Sequence, residues 1–314
     1  MKLRSSNEER VVSAALGLLL QDENFRFERL TISGLDNEPV YLVQGPGARR
    51  EEVCLVYGNP ISGDRYLALL GDRVERAANE RRPLPVVRFA DGEYEFYKGS
   101  LKCNGLYQQA ESGSAIRSAM PGHLEALRYL AEHGILSPLI YPGNVRRQSM
   151  MQRLLRKRKE DDSALRFLGL LEKHGLRLTG SNYVPFYAVY AYLSSVKFAQ
   201  SMSGKAVCIV NSDFNEAAVS GWFERAGSQP RLIHVPIAES FVATRWDSMR
   251  EEVFRNVPKD ADCLMVGAGV GALQVCVDAA RRFGVPAIDS GHILNMMNDL
   301  ERKSQGPRLY TFRR

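Results

Sequence analysis

Cysteine is sparse and scattered in this chain. Cys54, Cys103, Cys208, Cys263 and Cys276 are its only cysteines, and no two are spaced C-x-x-C. Neither a disulfide framework nor a zinc site is indicated, and buried free thiols in a reducing cytoplasm are expected. Long apolar runs are missing too. Residues 11–20 form an apolar stretch beside Glu8 and Glu9, about half of the ~20 residues a membrane-crossing helix needs. No small-residue cleavage site follows before Gln21-Asp22-Glu23-Asn24, so a secretory leader is not expected either. Ser6 followed three residues later by Glu9 reads as a capping box opening an ordinary helix. Repeats, low-complexity tracts and a nucleophile elbow are absent, and no Ser/His/Asp order stands out.

The 314 residues suit one large α/β domain or two unequal ones. Forty-two basic residues against 36 acidic ones give +6 and a pI near 9.1. That balance favours anionic, phosphate-bearing partners without choosing among nucleic acid, membrane and nucleotide.

Three β-like segments at residues 25–32, 40–44 and 53–57 precede a helical stretch at 64–78, which together read as a small N-terminal α+β lobe over residues 1–80. The twice proline-broken run Asn79-Glu80-Arg81-Arg82-Pro83-Leu84-Pro85 marks a boundary. From there to residue 314, apolar runs at 86–89, 136–141, 176–178, 206–210, 232–235, 263–266 and 285–288 alternate with amphipathic stretches, notably 217–225, 246–256 and 272–283. That alternation predicts a Rossmann-like, mostly parallel sheet with helices on both faces. In such sheets ligands gather at the carboxyl ends of the strands, where helix amino termini converge.

Four strand ends carry candidate chemistry. After Val86-Val87-Arg88-Phe89-Ala90 come Asp91-Gly92-Glu93. In extended backbone the two carboxylates would share a side and could hold Mg²⁺ or Mn²⁺, whereas at a helix start they would only cap it and complement its dipole. Gly267-Ala268-Gly269-Val270-Gly271-Ala272 satisfies G-x-G-x-x-G/A, with Asp289 about where a ribose-binding acid belongs. One strand after this turn cannot complete a dinucleotide-binding unit unless earlier strands supply the rest, so phosphate contact, NAD(P) binding and tight helix packing all stay open. Asp289-Ser290-Gly291-His292 places a histidine where a helix begins, able to donate to a phosphate or ligate a metal as a neutral ring. Asn211-Ser212-Asp213-Phe214-Asn215-Glu216 could cap a helix, or supply Asp213 or Glu216 as a base for an incoming hydroxyl. The basic amphipathic stretch at 146–159 reads as a solvated helix face or an anionic-surface contact. His123, His133, His174 and His234 lack mutual spacing and read as structural.

Arg88-Phe89-Ala90-Asp91-Gly92-Glu93, taken together with Ala287-Ile288-Asp289-Ser290-Gly291-His292, resembles the GT-D-type glycosyltransferases, whose pattern runs from an RFGDGE-like segment to a late D-x-G-H segment. The resemblance covers residues 85–300, is weak between 100 and 200, and leaves out residues 1–80. Ala90 stands where the family usually has Gly, and Ser290 where an apolar residue is common. The resemblance implies a Rossmann-like enzyme in which Asp91 and Glu93 hold a divalent metal, Mn²⁺ or Mg²⁺, at the diphosphate of a nucleotide sugar. Arg88, Gly267, Gly269, Gly271, Asp289 and His292 would line the donor, with Asp213 as a further catalytic candidate. The implied partners are that donor and a glycan, lipid-linked or protein acceptor in cell-surface glycan synthesis, not nucleic acid. The expected location is cytoplasmic, with contact at the inner membrane face and homo-oligomerisation left open. Two alternatives remain: an NAD(P)-dependent oxidoreductase using the glycine turn, and a non-catalytic sugar-nucleotide-binding protein.

Overall fold

The computed structural model describes residues 26–30, 40–44, 54–57, 63–105, 107–140, 144, 162–176, 178 and 181–298. The expected opening helix with its capping box and the basic stretch at 146–159 lie outside them. Strands β1 (Arg26–Leu30), β2 (Val40–Gln44) and β3 (Cys54–Tyr57) pair antiparallel in that order.

The main sheet is six-stranded and parallel throughout. Its strands are β4 (Leu84–Phe89), β5 (Ile135–Pro138), β6 (Ala206–Asn211), β7 (Arg231–Pro236), β8 (Cys263–Val266) and β9 (Pro286–Asp289). The spatial order is β5-β4-β9-β8-β6-β7. All but β7 are buried along their whole length, which is why they read as continuous apolar runs. β7 lies at the edge, with Arg231 exposed and His234 half-buried.

Alternate strand residues feed two cores. Val87, Leu136, Val210, Leu264 and Ala287 pack with α3 (Gly113–His133), α4 (Ser163–Lys173), α8 (Val242–Arg255) and α9 (Ala272–Phe283). Val86, Ile135, Ile209, Met265 and Ile288 pack on the other face, with α1 (Gly63–Glu80), α5 (Phe186–Leu193), α6 (Val196–Ser201), α7 (Glu216–Glu224) and α10 (Gly291–Met297). The expected parallel sheet with two covered faces is therefore present.

Two readings change. Helix α1 buries Leu70, Val74 and Ala77, spaced along one helical stripe, in the same core as Val86, Val189 and Leu193. It packs on the main sheet, so chain on both sides of the break expected at 79–85 shares one core. What occupies the expected break is a tight turn in which Arg81, at φ 49°, donates to the carbonyls of Lys259, Ala261 and Phe283 at 3.1 to 3.2 Å. That clamp ties the loops at the amino-terminal edge of the sheet. The apolar run at 176–178 forms no named strand, and beside β5 an isolated bridge joins Leu136 to Tyr183.

Candidate functional site at the carboxyl edge

The chain leaves β6 toward the β7 edge and leaves β8 in the opposite direction, toward β9. Such a divergence opens a crevice at the carboxyl ends. Asn211 ends β6 and Gly267 follows β8, and they nearly touch: a Cβ on Gly267 would lie 2.6 Å from Asn211 Oδ1. Next to them, β9 delivers Asp289 and Ser290, and its other neighbour β4 delivers Arg88 to Asp91.

Arg88 and Asp289 form the polar centre of this edge. Arg88 Nη2 lies 2.8 Å from Asp289 Oδ1, with the two side chains only 6% and 9% exposed. Arg88 Nε donates to the Asp289 carbonyl at 3.1 Å, and its backbone N–H to Oδ2 at 3.3 Å. The guanidinium also lies over the rings of Tyr190, at 4.1 Å, and Phe186, at 5.3 Å. Burial works to lower the Arg88 pKa, but the Asp289 charge and hydrogen bond outweigh it and hold Arg88 above its ordinary value. Arg88 therefore braces Asp289.

Helix α2 (Asp91–Tyr97) starts at once after β4. Residues two apart on a helix are turned by about 200° around its axis, so Asp91 and Glu93 do not share a side as they would in extended chain. Glu93 reaches back to accept the Ala90 N–H at 2.8 Å, the carboxylate half of a capping box. Asp91 is exposed at the first helical position. Burial, with Asp289 nearby, raises the Glu93 carboxyl to about 7. Gly92 has no positive φ and open space where a Cβ would sit, so no close turn depends on it. Among the described residues no cluster of three or more His, Cys, Asp or Glu could hold a metal. The D-x-E pair as folded does not fit a two-carboxylate chelate for Mn²⁺ or Mg²⁺.

The glycine turn is shaped by its neighbours. Gly269, at φ 53°, faces the Gln109 amide, and a Cβ on Gly271 would lie 2.6 Å from Val242 Cγ1 and 2.9 Å from the Ala243 nitrogen. Gly267 N–H donates to Val210 O, Gly271 N–H to Ala268 O, and Val270 N–H to Gln109 Oε1 at 2.9 Å. Helix packing and side-chain capping thus account for much of this turn, and the three glycines are not presented as a bare phosphate cradle. The strand carrying the turn is fifth of the sheet's six in chain order, in a second-first-sixth-fifth-third-fourth arrangement. A dinucleotide fold runs third-second-first-fourth-fifth-sixth with the fingerprint after its first strand. Asp289, which that reading needs for a ribose, is engaged by Arg88.

His292 is half-buried in the first turn of α10. Asp213 is exposed, and its carbonyl accepts from Asn211 Nδ2 at 3.0 Å and from Asn298 Nδ2 at 3.5 Å. Asn298, at the end of α10, also receives the Asn215 N–H at 2.7 Å. The loop bearing Asp213 is therefore tied to the helix bearing His292. Asn215 caps α7, and Glu216 is exposed in its first turn. His123 is buried, donates or accepts with Tyr97, and bonds the Ala243 carbonyl at 2.8 Å. Burial lowers its pKa to about 4, so a neutral, structural histidine is found there.

No family model and no curated protein matches this chain. Two solved structures of the domain of unknown function 1792 are similar to it. One is a selenomethionine-substituted form, and the other is described as having a distinct glycosyltransferase fold. Each is 17% identical, with 74% of this chain and 83% of that chain covered at a TM-score of 0.43. At that distance the likeness does not reach individual side chains.

Gln109, Asn298, Tyr107 and Phe241 organise the same edge and were not singled out from the sequence. Asn104 Oδ1 accepts the N–H groups of Gln109 and Ala110 at 2.7 and 3.0 Å, and its Nδ2 donates to Ala110 O at 2.7 Å. Phe241, in the left-handed region at φ 64°, donates its N–H to Gln108 O at 2.8 Å. The readable signal was Asn104-Gly105, a turn pair inside an otherwise polar stretch. No helix among the described residues is long and apolar enough to cross a membrane.

Proposed function

We propose that this protein is a glycosyltransferase that takes a nucleotide diphosphate sugar as donor and passes the sugar to a glycan, lipid-linked or protein acceptor. One observation carries the reading. The two motif halves, 201 residues apart, lie on paired strands and are joined by the buried Arg88–Asp289 contact. Segments that resemble one family's site only in combination are thereby supported as parts of a single site.

In the transfer, the bond from the anomeric carbon to the phosphate oxygen breaks and the nucleoside diphosphate leaves with the electron pair. The acceptor oxygen forms the new bond and gives up its proton. Arg88 and Asp289 are engaged with each other, so their role is to hold the crevice edge in shape. His292 is the candidate donor to a phosphate oxygen, and Asp213 the candidate base for the acceptor hydroxyl. The hydride-transfer alternative loses ground on strand order and on the engagement of Asp289.

The test is a thermal-shift screen of nucleotide sugars, each with and without Mn²⁺, followed by assay of nucleoside diphosphate release with an acceptor panel. A ligand that binds only the native state at 100 times its Kd stabilises it by about 2.7 kcal/mol. At least one nucleotide sugar should raise the melting temperature, and Asp213→Asn should slow release without lowering that shift. A screen in which none does so refutes the proposal. Binding without release against every acceptor would favour the non-catalytic reading.

A further inference from the structure

Among the described residues three large hydrophobic side chains are exposed, Leu69, Leu101 and Tyr107, and two of them lie on the segment between α2 and α3. Tyr107 is the one in contact with the crevice. Its hydroxyl accepts from Asn295 Nδ2 of α10 at 2.8 Å, and its carbonyl accepts from Gln109 Nε2 at 3.3 Å. Gln109 Oε1 in turn holds the Val270 N–H of the glycine turn. Tyr107 is thus held at both ends, its hydroxyl by the helix that follows β9 and its carbonyl through Gln109 by the turn that follows β8, while 38% of the residue stays in solvent.

The segment around it is held still by Asn104 and by the Phe241 N–H on Gln108 O. Glu111 extends this brace, accepting from Thr244 Oγ1 at 2.6 Å and pairing with Arg245, whose guanidinium lies 5.0 Å from the Phe241 ring. The left-handed backbone at Phe241 costs on the order of 1 kcal/mol or more and marks a segment whose geometry is imposed by its surroundings. A surface loop ordered this tightly, with an anchored aromatic ring left uncovered, has its rotamer entropy removed before any ligand arrives. A π-face is what every nucleobase can stack on.

We infer that Tyr107 is the stacking platform for the nucleobase of a nucleoside diphosphate bound in the carboxyl-edge crevice. The inference rests on the nucleotide-sugar reading above. The probes are ADP, CDP, GDP and UDP, with inorganic pyrophosphate as a base-free control, titrated against wild type, Tyr107→Phe and Tyr107→Ala. Base stacking removed by alanine typically corresponds to about a tenfold loss of affinity or more. Tyr107→Ala should therefore weaken the nucleoside diphosphate that wild type binds by about tenfold and leave pyrophosphate within twofold, and Tyr107→Phe should stay within about threefold of wild type. Equal nucleotide affinity in wild type and Tyr107→Ala overturns the inference while the nucleotide-sugar reading stands. Parallel loss of pyrophosphate in Tyr107→Ala also overturns it, because the residue would then be shaping the site and not stacking a base. Absence of binding of all four nucleotides to wild type overturns both.

Discussion

Replacing Asp289 with Asn keeps the shape of the side chain and removes only its charge. Arg88 then stays buried at 6% exposure beside a neutral amide, with its guanidinium still over Tyr190. Surface ion pairs are worth about 0–1 kcal/mol. A pair this dry falls in the other regime, where removing one partner costs about 3–5 kcal/mol because the remaining charge is uncompensated. The amide can still accept from Arg88 and the ring contact persists, so the expected loss is at the low end, about 3 kcal/mol. For a domain of this size each kcal/mol moves the midpoint by about 2–4 °C, so thermal denaturation should show a fall of about 6–12 °C. The companion variant Arg88→Met with Asp289→Leu removes both charges and should recover most of that loss. A fall under about 3 °C for Asp289→Asn, or a double variant no more stable than the single one, would refute the assignment of this pair as a buried, mutually dependent brace.

Three further outcomes follow from other parts of the molecule. The Glu93 carboxyl keeps its proton to about 7 in the folded chain and releases it near its ordinary value of 4.5 when unfolded. Its contribution is fully present below about 4.5 and is lost as pH rises to about 7, at most about 3 kcal/mol. Glu93→Gln can still accept the Ala90 N–H, so it should flatten that part of the stability–pH curve, and an unchanged slope would reject the assignment. Gly271→Val should destabilise by about 1–3 kcal/mol because the new Cβ meets the Ala243 backbone at 2.9 Å. Gly92→Ala, with open space around it inside a helix, should be neutral or stabilising by about 0.5–1 kcal/mol, and chemical denaturation of the two variants separates the cases. Cys103, Cys208, Cys263 and Cys276 are buried, and burial raises their thiols, Cys208 to about 12. A thiol reagent at pH 8 should leave these four unmodified until the chain is denatured.

The parallel sheet was legible because strands buried on both faces read as mostly apolar runs, and those of the main sheet other than edge strand β7 are buried throughout, with Arg88, Ser137, Asn211 and Asp289 as polar exceptions toward their carboxyl ends. At 176–178 the same signal marks buried chain outside the named strands: Leu176 and Leu178 are buried, and Leu178 carries an isolated bridge. Beside β5, Asn182 and Val184 bond to Leu136. The two carboxylates of Asp91-Gly92-Glu93 were legible as a pair, but their direction was not, since it depends on whether the helix begins before or after Asp91. The glycine turn was legible as a close approach, yet what approaches it, Gln109 from far upstream and Val242 from α8, lies outside any local pattern. The partnership of Arg88 with Asp289 followed from strand order, which single-sequence periodicity does not encode.

The position of β9 between β4 and β8 also governs how the chain can assemble during synthesis. Until Pro286–Asp289 leaves the ribosome, β5-β4 and β8-β6-β7 are two separate fragments with no ladder between them. Each has an exposed inner edge on which another chain could add a strand. The Arg88 guanidinium waits through that interval without its carboxylate, so closure of the sheet and neutralisation of a deeply buried cation are one late event.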